Sequence, residues 1–182
     1  TESKASGANV VQGGTMFDHV RKSYLSRTPA SAGNRKTFTW SCWVKKSILD
    51  SSSYRTLISA NNGNGGNDGF FFYQDKIHVS WDYDSGGTNL NIRSSSYYRD
   101  MGGWYHFVWA TDTTSGTASE RMKIYVNGEQ VTLDTNPGQN TEGGFNNNVE
   151  QHIGVWKAGA GSETYAFDGY MAEMHFVDGQ QL

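Results

Sequence analysis

The side chains best equipped for chemistry gather around Trp81-Asp82-Tyr83-Asp84, with Asn89, Asn91 and Arg93 close behind. An aromatic ring can stack on the C–H face of a pyranose, while amide, carboxylate and guanidinium groups fix its hydroxyls. Ligand sites combine apolar walls with a few placed polar groups in this way. Trp81, Asp82, Tyr83, Asn89, Asn91 and Arg93 are therefore the candidate glycan-binding residues. Tyr97-Tyr98-Arg99-Asp100, and Trp156 with Tyr165, carry the same chemistry. A second candidate is the loop Asn61-Asn-Gly-Asn-Gly-Gly-Asn-Asp68, dense in side-chain oxygens. Calcium takes about six to eight oxygen ligands, and carboxylates dominate tight sites. Asp68 is the only charged residue of this loop, so Asn67 and Asp68 make at most a weak calcium site, and a turn-rich loop is the simpler reading. The 5 His residues form no His-Glu-x-x-His and no His-x-x-x-His pattern. His78 and His106 fall inside strand-like segments, where a structural role is expected.

These candidates need a scaffold, and the pattern for it is antiparallel β. Tyr105, Phe107 and Trp109 share one face of a strand, because side chains alternate with period two. Ile124 and Val126 lead into Asn127-Gly128, and Val131 and Leu133 lead out. Asn-Gly between alternating apolar residues is a strong hairpin signal, since a type I′ turn needs positive φ at both central positions. Further strands are expected at Phe38–Lys45, Thr56–Ala60, Phe70–Tyr73, Lys76–Trp81, Leu90–Arg93, Val149–Trp156 and Phe167–Val177. Gln74-Asp75 marks another hairpin, Gly159–Ser162 a turn, and Thr135–Asn148 a long irregular segment. Residues 16–28 read as a weak strand pair. Residues 1–15 read as an extended arm or linker, leaving 16–182 as one domain. Trp43 has the parity opposite to Phe38, Trp40 and Val44, which places it on an outer face or under a covering loop.

Composition bounds the rest. The chain has 182 residues, with 6 Trp, 10 Tyr and 9 Phe but little Leu, so aromatic rings must supply much of the core. The 22 Gly and 2 Pro suit short strands joined by many turns. The formal net charge is −3 and no basic stripe is present, which argues against nucleic acid. No apolar run is long enough for a membrane helix. The single Cys42 shares the parity of Phe38, Trp40 and Val44 and reads as a small buried hydrophobe. The first residue is Thr1 rather than Met, which reads as a processed chain or an excerpt of a longer one.

Phe38-Thr-Trp-Ser-Cys-Trp-Val-Lys45, Thr56-Leu-Ile-Ser-Ala60, Gly103-Trp-Tyr-His-Phe-Val108, Lys123-Ile-Tyr-Val-Asn-Gly128 and Phe167-Asp-Gly-Tyr-Met-Ala-Glu-Met174 follow one another in this order. Together they resemble the laminin-G-like and pentraxin-like branch of the concanavalin A-like fold, over about residues 23–182. Tyr24–Lys36 and Asp168–Leu182 are most similar to versions in virion proteins of marine tailed phages. The resemblance implies an all-β, two-sheet antiparallel jelly-roll sandwich with one concave sheet, and glycan or protein ligands, often with calcium. It implies a non-enzymatic virion module on the particle surface that binds host-surface glycan on a fibre or appendage. The alternative it leaves open is a capsid or tail decoration domain that binds other virion proteins, with a homo-oligomer such as a trimer. A glycan hydrolase is disfavoured: the glucanase branch carries Glu-x-Asp-x-x-Glu on one strand, with paired carboxylates acting across a sugar bond. Asp82-Tyr-Asp84 comes nearest and lacks the flanking Glu, and Glu173 stands alone.

Overall fold

The computed structural model describes residues 13–49, 52–61, 67–81, 90–157 and 163–182. Two six-stranded antiparallel sheets pack face to face. In chain order the strands are β1 (Thr15–Phe17), β2 (Leu25–Arg27), β3 (Thr37–Lys46), β4 (Arg55–Asn61), β5 (Asn67–Tyr73), β6 (Lys76–Trp81), β7 (Leu90–Arg93), β8 (Tyr105–Asp112), β9 (Met122–Val126), β10 (Glu129–Gln130), β11 (Glu150–Ile153), β12 (Trp156–Lys157), β13 (Glu163–Thr164) and β14 (Gly169–Asp178). The first sheet has the order β1-β14-β3-β8-β9-β10 and the second β2-β11-β4-β5-β6-β7. Among the described residues, strands β12 and β13 pair only with each other. The one helical element among the described residues is a short 3-10 turn at Ala118–Glu120. The expected all-β jelly-roll class is thus the observed one.

The core between the sheets is aromatic, as the composition requires. Trp40, Trp109, Phe38, Phe70, Phe107 and Phe145 are fully buried. Phe70 of the second sheet stacks on Trp109 of the first, with ring centroids 5.5 Å apart and planes 13° apart. Phe38 meets Trp109 edge-on at 5.1 Å. Offset-stacked and edge-on pairs of this kind add to the stabilisation from burial itself. Cys42 is buried among them, and burial pushes its thiol up to about 12, so it stays a neutral hydrophobe.

Two expected hairpins have the predicted geometry. Asn127 and Gly128 have φ of 53° and 86°, and Gln74 and Asp75 have φ of 53° and 59°. Three expectations need correction. Strands β1 and β2 do not pair with each other: β1 joins β14 in the first sheet and β2 joins β11 in the second. The single strand expected over Val149–Trp156 is two, broken at Gly154. There φ is +88°, and an added Cβ would overlap the Phe17 ring. The return limb of the Asn127 hairpin ends at Gln130, and Leu133 instead bridges to Ser94 of the other sheet. The last strand is bulged between Ala172 and His175, with Glu173 at φ 49°, so an extra residue breaks the simple alternation. Thr15 already belongs to β1, and the rest of the expected arm, together with the turn at Gly159–Ser162, lies largely or wholly outside the described residues.

Candidate functional site

Strand register sorts the candidate residues onto two faces. In β6, Ile77, Val79 and Trp81 face the core, so Lys76, His78 and Ser80 take the opposite, outer face. His78 pairs with Phe71 of β5 and Arg93 of β7, and Ser80 pairs with Gly69 and Asn91. Asn91 and Arg93 therefore stand side by side on the outer face of the second sheet, both exposed.

Aromatic rings continue this face across the sheet. Tyr54 lies 4.4 Å from Tyr73, 4.8 Å from Tyr165 and 4.9 Å from Phe71 by ring centroids. His78 packs between Phe71 at 5.7 Å and Tyr73 at 5.4 Å. Trp156 meets Phe71 edge-on at 5.6 Å. Gly69 makes room for it, since an added Cβ would overlap the indole. Tyr165 is 43% exposed, while Tyr54, Tyr73 and Trp156 are half-buried. The result is a strip of tyrosine rings ending in an imidazole, a guanidinium and an amide.

The electrostatics of the strip are simple. Burial pushes His78 down to about 4, and the Arg93 cation beside it acts in the same sense, so the imidazole is neutral at pH 7. The Arg93 backbone N–H donates to Asp134 Oδ1 at 2.8 Å. Its guanidinium has no ion pair with any described residue. Lys76 holds its ammonium 4.7 Å from the centre of the exposed Tyr97 ring, and Arg99 stacks on the same ring at 4.3 Å.

Four of the sequence candidates are placed differently. Trp81 is 2% exposed and belongs to the core, with its ring against Phe38 and Trp109, so it cannot offer a stacking face to a sugar. Asp68 is fully buried, and its carboxylate accepts the Gly144 N–H. A fully buried carboxylate that holds a backbone amide does not fit a calcium site at the loop surface. Asn67 opens β5 opposite Asn61. Tyr98 is buried while its neighbour Tyr97 is 53% exposed. Asp82, Tyr83 and Asn89 lie outside the described residues. Trp43 is half-buried on the outer face of the first sheet, its ring 4.9 Å from His106.

One group of described side chains brings imidazole and carboxylate ligands within 4.8 Å: Asp18, His19 and Asp168. His19 Nδ1 lies 2.6 Å from Asp168 Oδ2, and Asp18 Oδ1 accepts the amides of Val20 and Arg21. These hydrogen bonds lock a turn beside β1, and the imidazole suits calcium poorly.

Sequence reasoning missed Tyr54, Tyr73 and Lys76. The parity of β6 carried the signal for Lys76, and that of β5 for Tyr73 beside Phe71. Tyr54 precedes β4 and reaches Tyr165 only through tertiary packing, which no local pattern announces.

The family model of the concanavalin A-like lectin/glucanases superfamily, Laminin_G_3, matches residues 21–180, and the chain belongs to this superfamily. Among solved structures it is similar to domains LG4-5 of the mouse laminin alpha1 chain, at 16% identity and a TM-score of 0.65, covering 94% of this chain and 44% of that one. It therefore spans less than half of that laminin chain. It is also similar to the CBM40 module of the Ruminococcus gnavus IT-sialidase bound to α2,3 sialyllactose, at 12% identity and a TM-score of 0.64, covering 92% and 90%. The heptameric pentraxin of Limulus polyphemus gives 16% identity and a TM-score of 0.56, covering 84% and 68%. Identities this low show a shared fold and no more. No curated protein sequence matches the chain.

Proposed function

We propose that this domain is a non-enzymatic glycan-binding module that uses the outer face of the second sheet. The observation that carries the reading is the strip of Tyr54, Tyr73 and Tyr165 ending at Asn91 and Arg93. Tyrosine rings suit the apolar face of a sugar, and amide and guanidinium groups suit its hydroxyls. The family is one of lectins and glucanases. The similar CBM40 module holds sialyllactose, and a similar arabinanase domain holds arabinotriose; both support a sugar ligand. We further propose that the module sits on the surface of a phage particle, as an adhesin on a fibre or appendage. The stretches Tyr24–Lys36 and Asp168–Leu182 support that placement through their resemblance to phage virion proteins.

A second reading has its own observation. Beyond Met171, β14 has no paired strand on the β1 side among the described residues. Beside it a groove of about 770 Å³ opens between the sheets, lined by Leu25, Trp40, Ile58, Met174 and Phe176 among others. Leu25 is 52% and Phe176 39% exposed. An apolar groove of this kind suits a decoration or assembly role toward other virion proteins.

The test is a glycan array probed with the whole chain, with calcium and then with chelator. Saturable binding to a narrow set of glycans, lost in Tyr165→Ala and Asn91→Ala variants with unchanged melting temperature, is the expected result. Silence from folded protein in both conditions would overturn it in favour of the assembly role.

A further inference from the structure

Given a glycan ligand on this face, we infer that the glycan is anionic, with Lys76, Arg93 and Arg99 as the groups that recognise its charge around the exposed ring of Tyr97. The inference rests on the reading above and adds the chemical class of ligand. It starts from a mismatch between the face and the whole molecule. The chain carries a net charge of −3, yet three cations gather at the β6–β7 end of the second sheet. Lys76 and Arg99 lie 4.7 and 4.3 Å from the Tyr97 ring. Arg93 is paired in register with His78, two residues along β6 from Lys76.

Three acids lie near these cations, and each already holds a partner of its own. Asp75 is 9% exposed and serves two partners, the buried Lys46 at 3.0 Å and Arg99 at 3.2 Å. Asp134 accepts the Arg93 backbone amide. Asp100 Oδ1 accepts the Gly102 amide at 2.7 Å. Lys76 and Arg93 have no ion pair with any described residue, and the neutral His78 between them adds no charge of either sign. Like charges held close repel one another, and an anionic ligand removes that repulsion. A guanidinium suits a carboxylate or sulfate through paired, charge-assisted hydrogen bonds. The exposed Tyr97 ring holds two of the cations, Lys76 and Arg99, at this surface. A neutral sugar would leave the charges of Lys76 and Arg93 without a partner. Three cations on one short face fall well below the basic stripe that nucleic acid requires.

The experiment compares matched ligands on the whole chain: oligogalacturonate against its methyl ester, and chondroitin sulfate against desulfated chondroitin. Single-stranded DNA serves as a third polyanion. The expected result is acidic glycans bound at least about tenfold tighter than their neutral partners at low salt, with the preference shrinking as salt rises. Lys76→Gln should lower that preference several-fold and leave the weaker neutral binding in place, and Arg93→Gln should lower both. A thermal melt confirms that both variants fold. Equal binding of acidic and neutral partners would overturn the charge inference and leave the glycan reading standing. DNA bound more tightly than every glycan would overturn it by assigning the cations to nucleic acid. Silence toward all sugars would remove both.

Discussion

At the scale of single residues, the side chain with the most sugar-like chemistry is the one the fold withholds. Trp81 packs its ring 6.2 Å from Phe38 and 5.9 Å from Trp109. Its Nε1 would lie 2.8 Å from a Cβ added at Gly143, so glycine there lets the irregular segment close over the indole. Trp81→Ala should therefore act on stability, at about 3–5 kcal/mol for an aromatic deleted from a core. Urea unfolding of the variant checks this, and an unchanged midpoint would show the ring to be dispensable. The parity of Lys-Ile-His-Val-Ser-Trp already grouped Trp81 with Ile77 and Val79, so its burial was legible in the sequence. Reading it as a platform gave the chemistry of its neighbours more weight than the alternation. Asn91 and Arg93 were legible for the complementary reason: their strand alternates with Ile92 in the core.

At the scale of elements, the two tight hairpins solve one backbone problem with different residues. Asn127-Gly128 meets the demand for positive φ at little steric cost. Gln74-Asp75 meets it with two residues that disfavour that region, Gln more than Asp. Asp75 has a separate reason to be there, since it holds Lys46 and Arg99. Gln74 has none: it is exposed and its side chain forms no hydrogen bond among the described residues. Gln74→Asn should raise stability by roughly 0.5 kcal/mol, because Asn suits the first position of a type I′ turn. A higher urea midpoint with an unchanged m-value is the expected reading, and a lower midpoint would mean the turn is already relaxed. The hairpins were visible because their signals are local. The assignment of β1 and β2 to different sheets was not, because strands of three residues carry no information about their partners. The aromatic strip depends on the same long-range pairing, which brings Tyr54, Tyr73 and Tyr165 together from three segments.

At the scale of the molecule, the two sheets are joined by more than apolar contact. Lys46 ends β3 of the first sheet, 3% exposed, and reaches across to Asp75 in the β5–β6 turn of the second. Its ammonium also donates to the Tyr98 carbonyl at 2.9 Å and sits 4.7 Å from the Phe72 ring centre. Burial holds its pKa below the ordinary lysine value, with Asp75 opposing that shift. The same Asp75 engages Arg99, so this interior pair is continuous with the proposed ligand face through one carboxylate. Two charges leave water here, and removing one alone strands the other. Lys46→Met should therefore cost about 3–5 kcal/mol, while the double variant Lys46→Met/Asp75→Asn should recover much of that loss. Both are read from urea unfolding. A single-variant loss below about 1 kcal/mol would mean that water or Arg99 compensates Asp75 unaided. The double variant leaves the net charge unchanged and frees Arg99 from the Asp75 carboxylate. On the anionic-glycan inference its affinity for acidic sugars should hold or rise while its stability falls, which separates the structural work of this pair from the binding work of the surface it supports.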